Sequence, residues 1–202
     1  MSLKNSINNI FSWIKGDWNR ALITALVFSL PFERIPSVDI YGITLRPSIF
    51  IGLAIISRFL YLILIKKKSF KIIGYQKLLI AFTAWLVLII PESINFRRAF
   101  EVTAFNVYTI MLAFAVAYIF DKKYIKPIIF ALFYSTVLIC VYCLYQYIGN
   151  LFGLPFTGLR ERYSWEIFGF PRIQGASLEP LYLASYMSIP VSYTHLTLPT
   201  KA

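Results

Sequence analysis

Arg172 lies in the stretch Gly169 to Pro190, GFPRIQGASLEPLYLASYMSIP, where a turn-rich segment containing Pro171 and Gly175 runs straight into an apolar helix. Ser177 is placed to cap that helix, Glu179 falls in its first turn, and Pro180 stands where a missing N–H costs nothing. A guanidinium beside the positive end of a helix suits an anion, phosphate above all, because its planar fork of donors matches two oxygens at once. The plainer alternative is an ion pair of Arg172 with Glu166 or Glu179 that holds the loop shut. Glu179 could equally do no more than complement the helix dipole.

Other residues with chemical potential are few. Arg97 and Arg98, in the polar turn Pro91 to Arg98, offer a second phosphate contact, although Glu92 and Glu101 flank them and could neutralise them. Arg160 and Arg162 alternate with acids and read as a solvated face. Arg58 falls inside an apolar run, so it either faces a protein interior or snorkels toward Lys66, about two turns away. Cys140 and Cys143 sit among Ile139, Val141 and Leu144, where helix packing explains them better than redox or metal chemistry. No His/Asp/Glu cluster has the spacing of a metal site, and neither a P-loop nor a G-x-G-x-x-G occurs, so neither metal nor nucleotide cofactor is called for.

The elements that must position these residues belong in a membrane. The chain has 202 residues, 58% hydrophobic and only 14% charged, with a mean hydropathy of +0.67. A soluble domain of this size would need far more polar cover. The expected class is all-α, a polytopic transmembrane helical bundle with about five complete helices and the start of a sixth. Residues 1–18 form an interfacial lead-in on the cytoplasmic side, and residues 19–190 form the membrane domain. The first span is short, Ala21 to Pro31, and borrows flanking residues from Asn19 to Ile35 to cross. After a loop from Phe32 to Ser48 come spans at Ile49 to Ile65, Leu78 to Ile90, Phe100 to Phe120 and Pro127 to Leu151. A longer loop, Phe152 to Ala176, leads to the sixth.

Sidedness follows from the lysines. Lys4 and Lys15, then Lys66, Lys67, Lys68, Lys71 and Lys77, then Lys122, Lys123 and Lys126 fall in alternate aqueous segments. The positive-inside rule makes those segments, and the N-terminus, cytoplasmic. The net charge of +11 is thereby explained without nucleic acid. The opposite loops carry arginine and no lysine, balanced by acids. That pattern suits a phosphate-bearing lipid ligand, and it equally suits a translocation bias against lysine alone. Trp18, Tyr41, Tyr124 and Tyr147 near span ends fit an interfacial aromatic belt.

Residues 191–202, VSYTHLTLPTKA, turn abruptly polar. They resemble the in-frame translation of a transposase-type sequencing adapter, and are expected to be a non-native tail on a protein that continues past Pro190. His195, the only histidine, belongs to that tail and is assigned to no site.

The short first span, the outer loop starting Pro31-Phe32-Glu33, the lysine run after the second span, and Arg172-x-x-Gly175 followed by Glu179-Pro180 together resemble the O-antigen ligase and polymerase family. In that family the last stretch usually has Arg, a spacer, Gly, then a polar-Pro or Pro-Asn pair opening a helix. Glu179-Pro180 departs from the commoner Pro-Asn form. The resemblance implies a metal-independent glycosyltransferase in the bacterial inner membrane. It would move a glycan from a polyprenyl-diphosphate carrier to a lipid or glycan acceptor at the periplasmic face. It further implies that the family has about a dozen helices, so this chain alone would be an inactive fragment. Arg172 would be the catalytic diphosphate contact, with Arg97, Arg98, Gly175 and Glu179 binding substrate. A lipid-linked oligosaccharide flippase or other polytopic transporter would also need outer arginines and many helices, but no internal repeat joins residues 19–90 to residues 100–190.

Overall fold

The computed structural model describes residues 17–34, 38–40, 43–70, 72, 74–155, 157, 172–177 and 179–197. The chain is helical, of the polytopic class its composition demands. Its helices are α1 (Trp18–Ser29), α2 (Pro47–Leu60, prolonged by a π-helical turn Tyr61–Ile65), α3 (Gly74–Ile89, with a 3-10 turn Ile90–Glu92), α4 (Phe96–Ile119), α5 (Ile125–Phe152, preceded by a 3-10 turn Lys122–Tyr124) and α6 (Pro180–Thr197). Among the described residues, four stretches are long and apolar enough to cross a membrane: Pro47–Ile65, Gly74–Glu92, Phe96–Ile119 and Lys122–Phe152. They correspond to the second to fifth expected spans, each reaching beyond its apolar run at one end or both. Helices extend past the apolar run because hydrogen bonding continues into the boundary residues, where polar side chains already meet water.

Three expectations need correction. The first span is a helix of 12 residues, about 18 Å long where about 30 Å is required. It stops at Ser29, whose hydroxyl donates back to the Leu26 carbonyl at 2.8 Å, with Pro31 just beyond. The segment read as a plain loop from Phe32 to Ser48 contains an antiparallel hairpin, β1 (Val38–Ile40) with β2 (Ile43–Leu45), pairing Val38 with Leu45 and Ile40 with Ile43. Apolar residues at alternate positions on both sides of Tyr41-Gly42 account for it. Finally, α6 continues through Pro190 to Thr197, so the polar turn in composition at Val191 does not end the helix. Proline removes one backbone donor, and the bonds on either side carry the helix through. The lead-in up to residue 16, Lys71, and the arginines and acids between 158 and 171 lie outside the described residues.

The fold divides into two units, one formed by Met1–Ile23 and Gly52–Asp121, the other by Thr24–Ile51 and Lys122–Ala202. In the first, Asp17 caps α1 by accepting from the Asn19 and Arg20 N–H groups at 3.1 and 3.3 Å. Ile55, Ile56, Phe59 and Leu62 of α2 are buried, as are Ala115 and Ile119 of α4. The Phe59, Phe70 and Tyr118 rings meet edge to face at 5.3 to 5.7 Å, the geometry their quadrupoles favour. At Gly52 a Cβ would overlap the Tyr108 hydroxyl, so glycine lets these two helices approach. Arg58 is half-buried, its Nε donates to Asn19 Oδ1 at 3.4 Å, and its guanidinium lies 5.4 Å from the centre of the Tyr61 ring. In the second unit, α5 and α6 pack through Ile139, Leu183 and Tyr186. The α5 helix ends at Gly153, whose φ of 65° takes the left-handed turn that glycine permits.

Candidate functional site

The segment Arg172 to Ser177 is not a loop drifting over the surface. Arg172 is exposed, but Gln174, Gly175, Ala176 and Ser177 are all buried. What draws them in is a glutamine in the middle of apolar sequence. Gln146, on α5, is itself fully buried and grips the Gly175 backbone with both ends of its amide. Its Oε1 accepts from the Gly175 N–H at 2.9 Å, and its Nε2 donates to the Gly175 carbonyl at 3.0 Å. One side chain thus satisfies both polar groups of a peptide position that apolar surroundings would otherwise leave unpaired, at a cost of about 1–3 kcal/mol for each group.

Glycine is required at position 175 for two separate reasons. Its φ is +60°, where an L side chain is strained, and a Cβ there would lie 3.2 Å from both Cys143 Sγ and Leu183 Cδ1. The next residue continues the anchoring: the Ala176 carbonyl accepts from the Arg34 N–H at 2.8 Å. Ile173 and Ala176 then join the cluster of Ile139, Leu183 and Tyr186. Below them the Tyr186 hydroxyl sits 2.6 Å from Ser135 Oγ and 3.2 Å from Thr136 Oγ1. Cys143 packs against the glycine, which gives it a structural place in the helix.

The start of α6 differs from the sequence expectation. Ser177 is not its cap; it is buried, and its N–H donates to the Gln174 carbonyl at 3.1 Å. Glu179 holds the cap position instead of the first turn. Its backbone carbonyl accepts from the Tyr182 and Leu183 N–H groups at 3.1 and 3.3 Å, while its side chain is half-buried. Pro180 is the first helical residue, as its fixed φ favours. Ser177 sits too far upstream because Gly175 turns the chain before a helical ladder can begin.

Arg97 and Arg98 belong to the other unit. Both fall on the first turn of α4 and not in the polar turn before it, because Asn95 caps that helix with its side chain, accepting from the Arg98 N–H at 3.0 Å. Arg97 pairs with Glu101, Nε to Oε1 at 3.0 Å, in the open. The Arg98 side chain lines a cavity of about 360 Å³ whose walls include Leu86, Ile89, Ile90 and Val102.

Of the sequence-derived candidates, then, Arg172, Gly175 and Glu179 share one built segment, and Arg97 and Arg98 form a separate feature. Sequence reasoning missed Gln146. The available signal was a carboxamide inside a long apolar helix, where a polar side chain is costly unless something pairs with it. Among the described residues no three His, Cys, Asp or Glu side chains converge as a metal site would need. We find no match to this chain among protein-family models, curated proteins or solved structures.

Proposed function

We propose that this chain is part of a membrane glycosyltransferase of the O-antigen ligase and polymerase kind, acting at the periplasmic face of a bacterial inner membrane. It takes a glycan from a polyprenyl-diphosphate carrier and passes it to a lipid or glycan acceptor. The observation that carries the reading is the contrast within one segment: Arg172 is exposed, while the three residues from Gln174 to Ala176 that follow close behind are buried and the backbone is held at Gly175.

Two physical arguments support it. The helix α5 has 28 residues, about 42 Å, and carries Lys126 at its start. Twenty residues on from Lys126 is Gln146, a rise of about 30 Å, the thickness of the hydrocarbon layer. That distance agrees with Lys126 in one headgroup layer and the clamp on Gly175 near the opposite one, a depth that suits a phosphate contact for Arg172. The second argument is parity. Four apolar helices separate Arg34 from Ala176 in sequence, and an even number of crossings agrees with the bond between Arg34 and Ala176. In sequence, Lys66, Lys67 and Lys68 follow the first of these four helices and Lys122 and Lys123 open the fourth, the alternation that the positive-inside rule associates with a cytoplasmic face.

Breaking a sugar–diphosphate bond places negative charge on the departing diphosphate. A fixed guanidinium stabilises that charge without having to reorganise as it forms, and its two parallel N–H donors match two phosphate oxygens. The Glu179 side chain, next to the helix start, tempers the positive charge there.

The test is glycan transfer in membranes carrying the protein, compared with Arg172→Ala and Arg172→Lys. Loss of one preorganised donor to the transition state lowers the rate by about a hundredfold or more, and lysine, a point charge without the fork, does not restore it. Equal transfer by the lysine variant and the parent would refute the bidentate role.

A further inference from the structure

We infer that Gln146 is the positioning residue of the Arg172 segment. It is the side chain that holds the segment docked between α5 and α6, so that Arg172 is presented at a fixed place. The purpose assigned to it rests on the phosphate reading of Arg172; the docking itself does not. A glutamine buried in a membrane helix has to satisfy an acceptor and a donor group, and here both meet a single glycine backbone, at 2.9 and 3.0 Å. The glycine in turn has neither the dihedral angle nor the room for any other residue. Each half of the clamp therefore requires the other. A hydrophobic residue at position 146 would suit the same buried place, but would leave the turn at Gly175 with nothing to hold its N–H and carbonyl. Buried in the protein at the edge of the hydrocarbon layer, such groups are tolerated only when the protein pairs them or water reaches them. Removing Gln146 thus favours a segment that swings out to water.

The experiment reads docking and transfer separately. In a background with Cys140→Ser and Cys143→Ser, the only two cysteines are removed. Single cysteines are then introduced as Arg172→Cys, at an exposed position, as Ser177→Cys, nearly isosteric at a position 2% exposed, and as Ile94→Cys, fully exposed in the first unit as a control. A water-soluble maleimide is applied to membranes open on both faces. The expected result is fast labelling at 172 and 94 and slow labelling at 177. Gln146→Met, of similar length but without the amide, speeds labelling at 177 by about tenfold or more, as opening of a segment robbed of two buried hydrogen bonds should, and leaves 94 unchanged. If Gln146→Met does not reach the membrane, Gly175→Ala carries the same comparison from the other side of the clamp.

Labelling at 177 as fast as at 172 in the parent, or equally slow in parent and variants, overturns the inference. In the transfer assay, Gln146→Met lowers the rate, and the double variant with Arg172→Ala is no slower than Arg172→Ala alone. Additive losses would mean that Gln146 does not act through Arg172, which also overturns the positioning role. Should Arg172→Ala leave transfer intact while 177 still opens in Gln146→Met, the phosphate reading falls and the docking stands.

Discussion

Two places in this molecule look alike in sequence and are built in opposite ways. At Asn95 to Glu101 and again at Arg172 to Pro180, arginine stands next to the start of an apolar helix with an acid close by. At α4 the arginines are on the helix itself, exposed, with Arg97 paired to Glu101 and the helix end closed by Asn95. At α6 the arginine precedes the helix by eight residues, and a buried carboxamide on α5 fastens the intervening backbone. The first arrangement is held by local contacts one turn apart. The second is held by contacts 29 residues apart in sequence, and such contacts exist only once the helices are packed. Fixed position therefore belongs to the second, and a guanidinium needs fixed position to stabilise developing charge.

The largest effect should come from the glycine. Gly175→Ala places a methyl at φ +60° and within 3.2 Å of Cys143 Sγ and Leu183 Cδ1. Left-handed backbone costs an L residue about 1–2 kcal/mol, and a forced methyl in packed surroundings about 1–3 kcal/mol more. The segment should open, and trypsin should cut after Arg172 many times faster, with the bulk of the helices intact by circular dichroism. An unchanged cleavage rate would mean that the segment is not docked and would erase the contrast between the two regions.

Much of this was legible from residue types alone. Four helices long and apolar enough to cross a membrane follow from apolar runs bounded by charge, since runs of that length suit a spanning helix and exceed a spanning strand. The site was half legible: Arg172, Gly175 and Pro180 announce a turn entering a helix. The partner was not, because Gln146 and Gly175 are joined by packing and not by spacing. Ser177 misled for a related reason. Its type is right for a cap, but the left-handed turn at Gly175 buries it two residues before the helix cap, and the carbonyl of Glu179 takes the position. The short α1 was visible as a deficit in length; the hairpin at Val38–Leu45 was hidden by the loop-like residues around it.

The next effect down belongs to the local arrangement. Asn95→Ala removes the side chain that accepts from the Arg98 N–H at 3.0 Å, and loss of such a cap costs about 1 kcal/mol. Thermal unfolding in detergent should register it, whereas tryptic cleavage after Arg172 should not change. Tyr186→Phe should cost less, about 0.6 kcal/mol, the average for a hydrogen bond between membrane helices. Ser135 retains its bond to the Leu132 carbonyl at 3.0 Å after the tyrosine hydroxyl is gone. A loss of several kcal/mol would instead identify the Ser135–Tyr186 contact as a second fastening of α6 to α5, equal to the glutamine.

The smallest effect, and the one that decides what α4 contributes, is Glu101→Gln. The pair is 3.0 Å long, but its side chains are 84% and 57% exposed, and the arginine precedes the acid, the weaker order along a helix. Stability should change by no more than about 0.3 kcal/mol and by less in salt. Its value lies in the other readout. Glu101 competes with any phosphate for Arg97, so if Arg97 contacts the anionic substrate, removing the acid should lower KM for transfer by up to about twofold, the worth of an exposed pair. No change in KM would leave Arg97 a surface charge, while a rise would mean that Glu101 aims the guanidinium, making the α4 turn a positioned site after all.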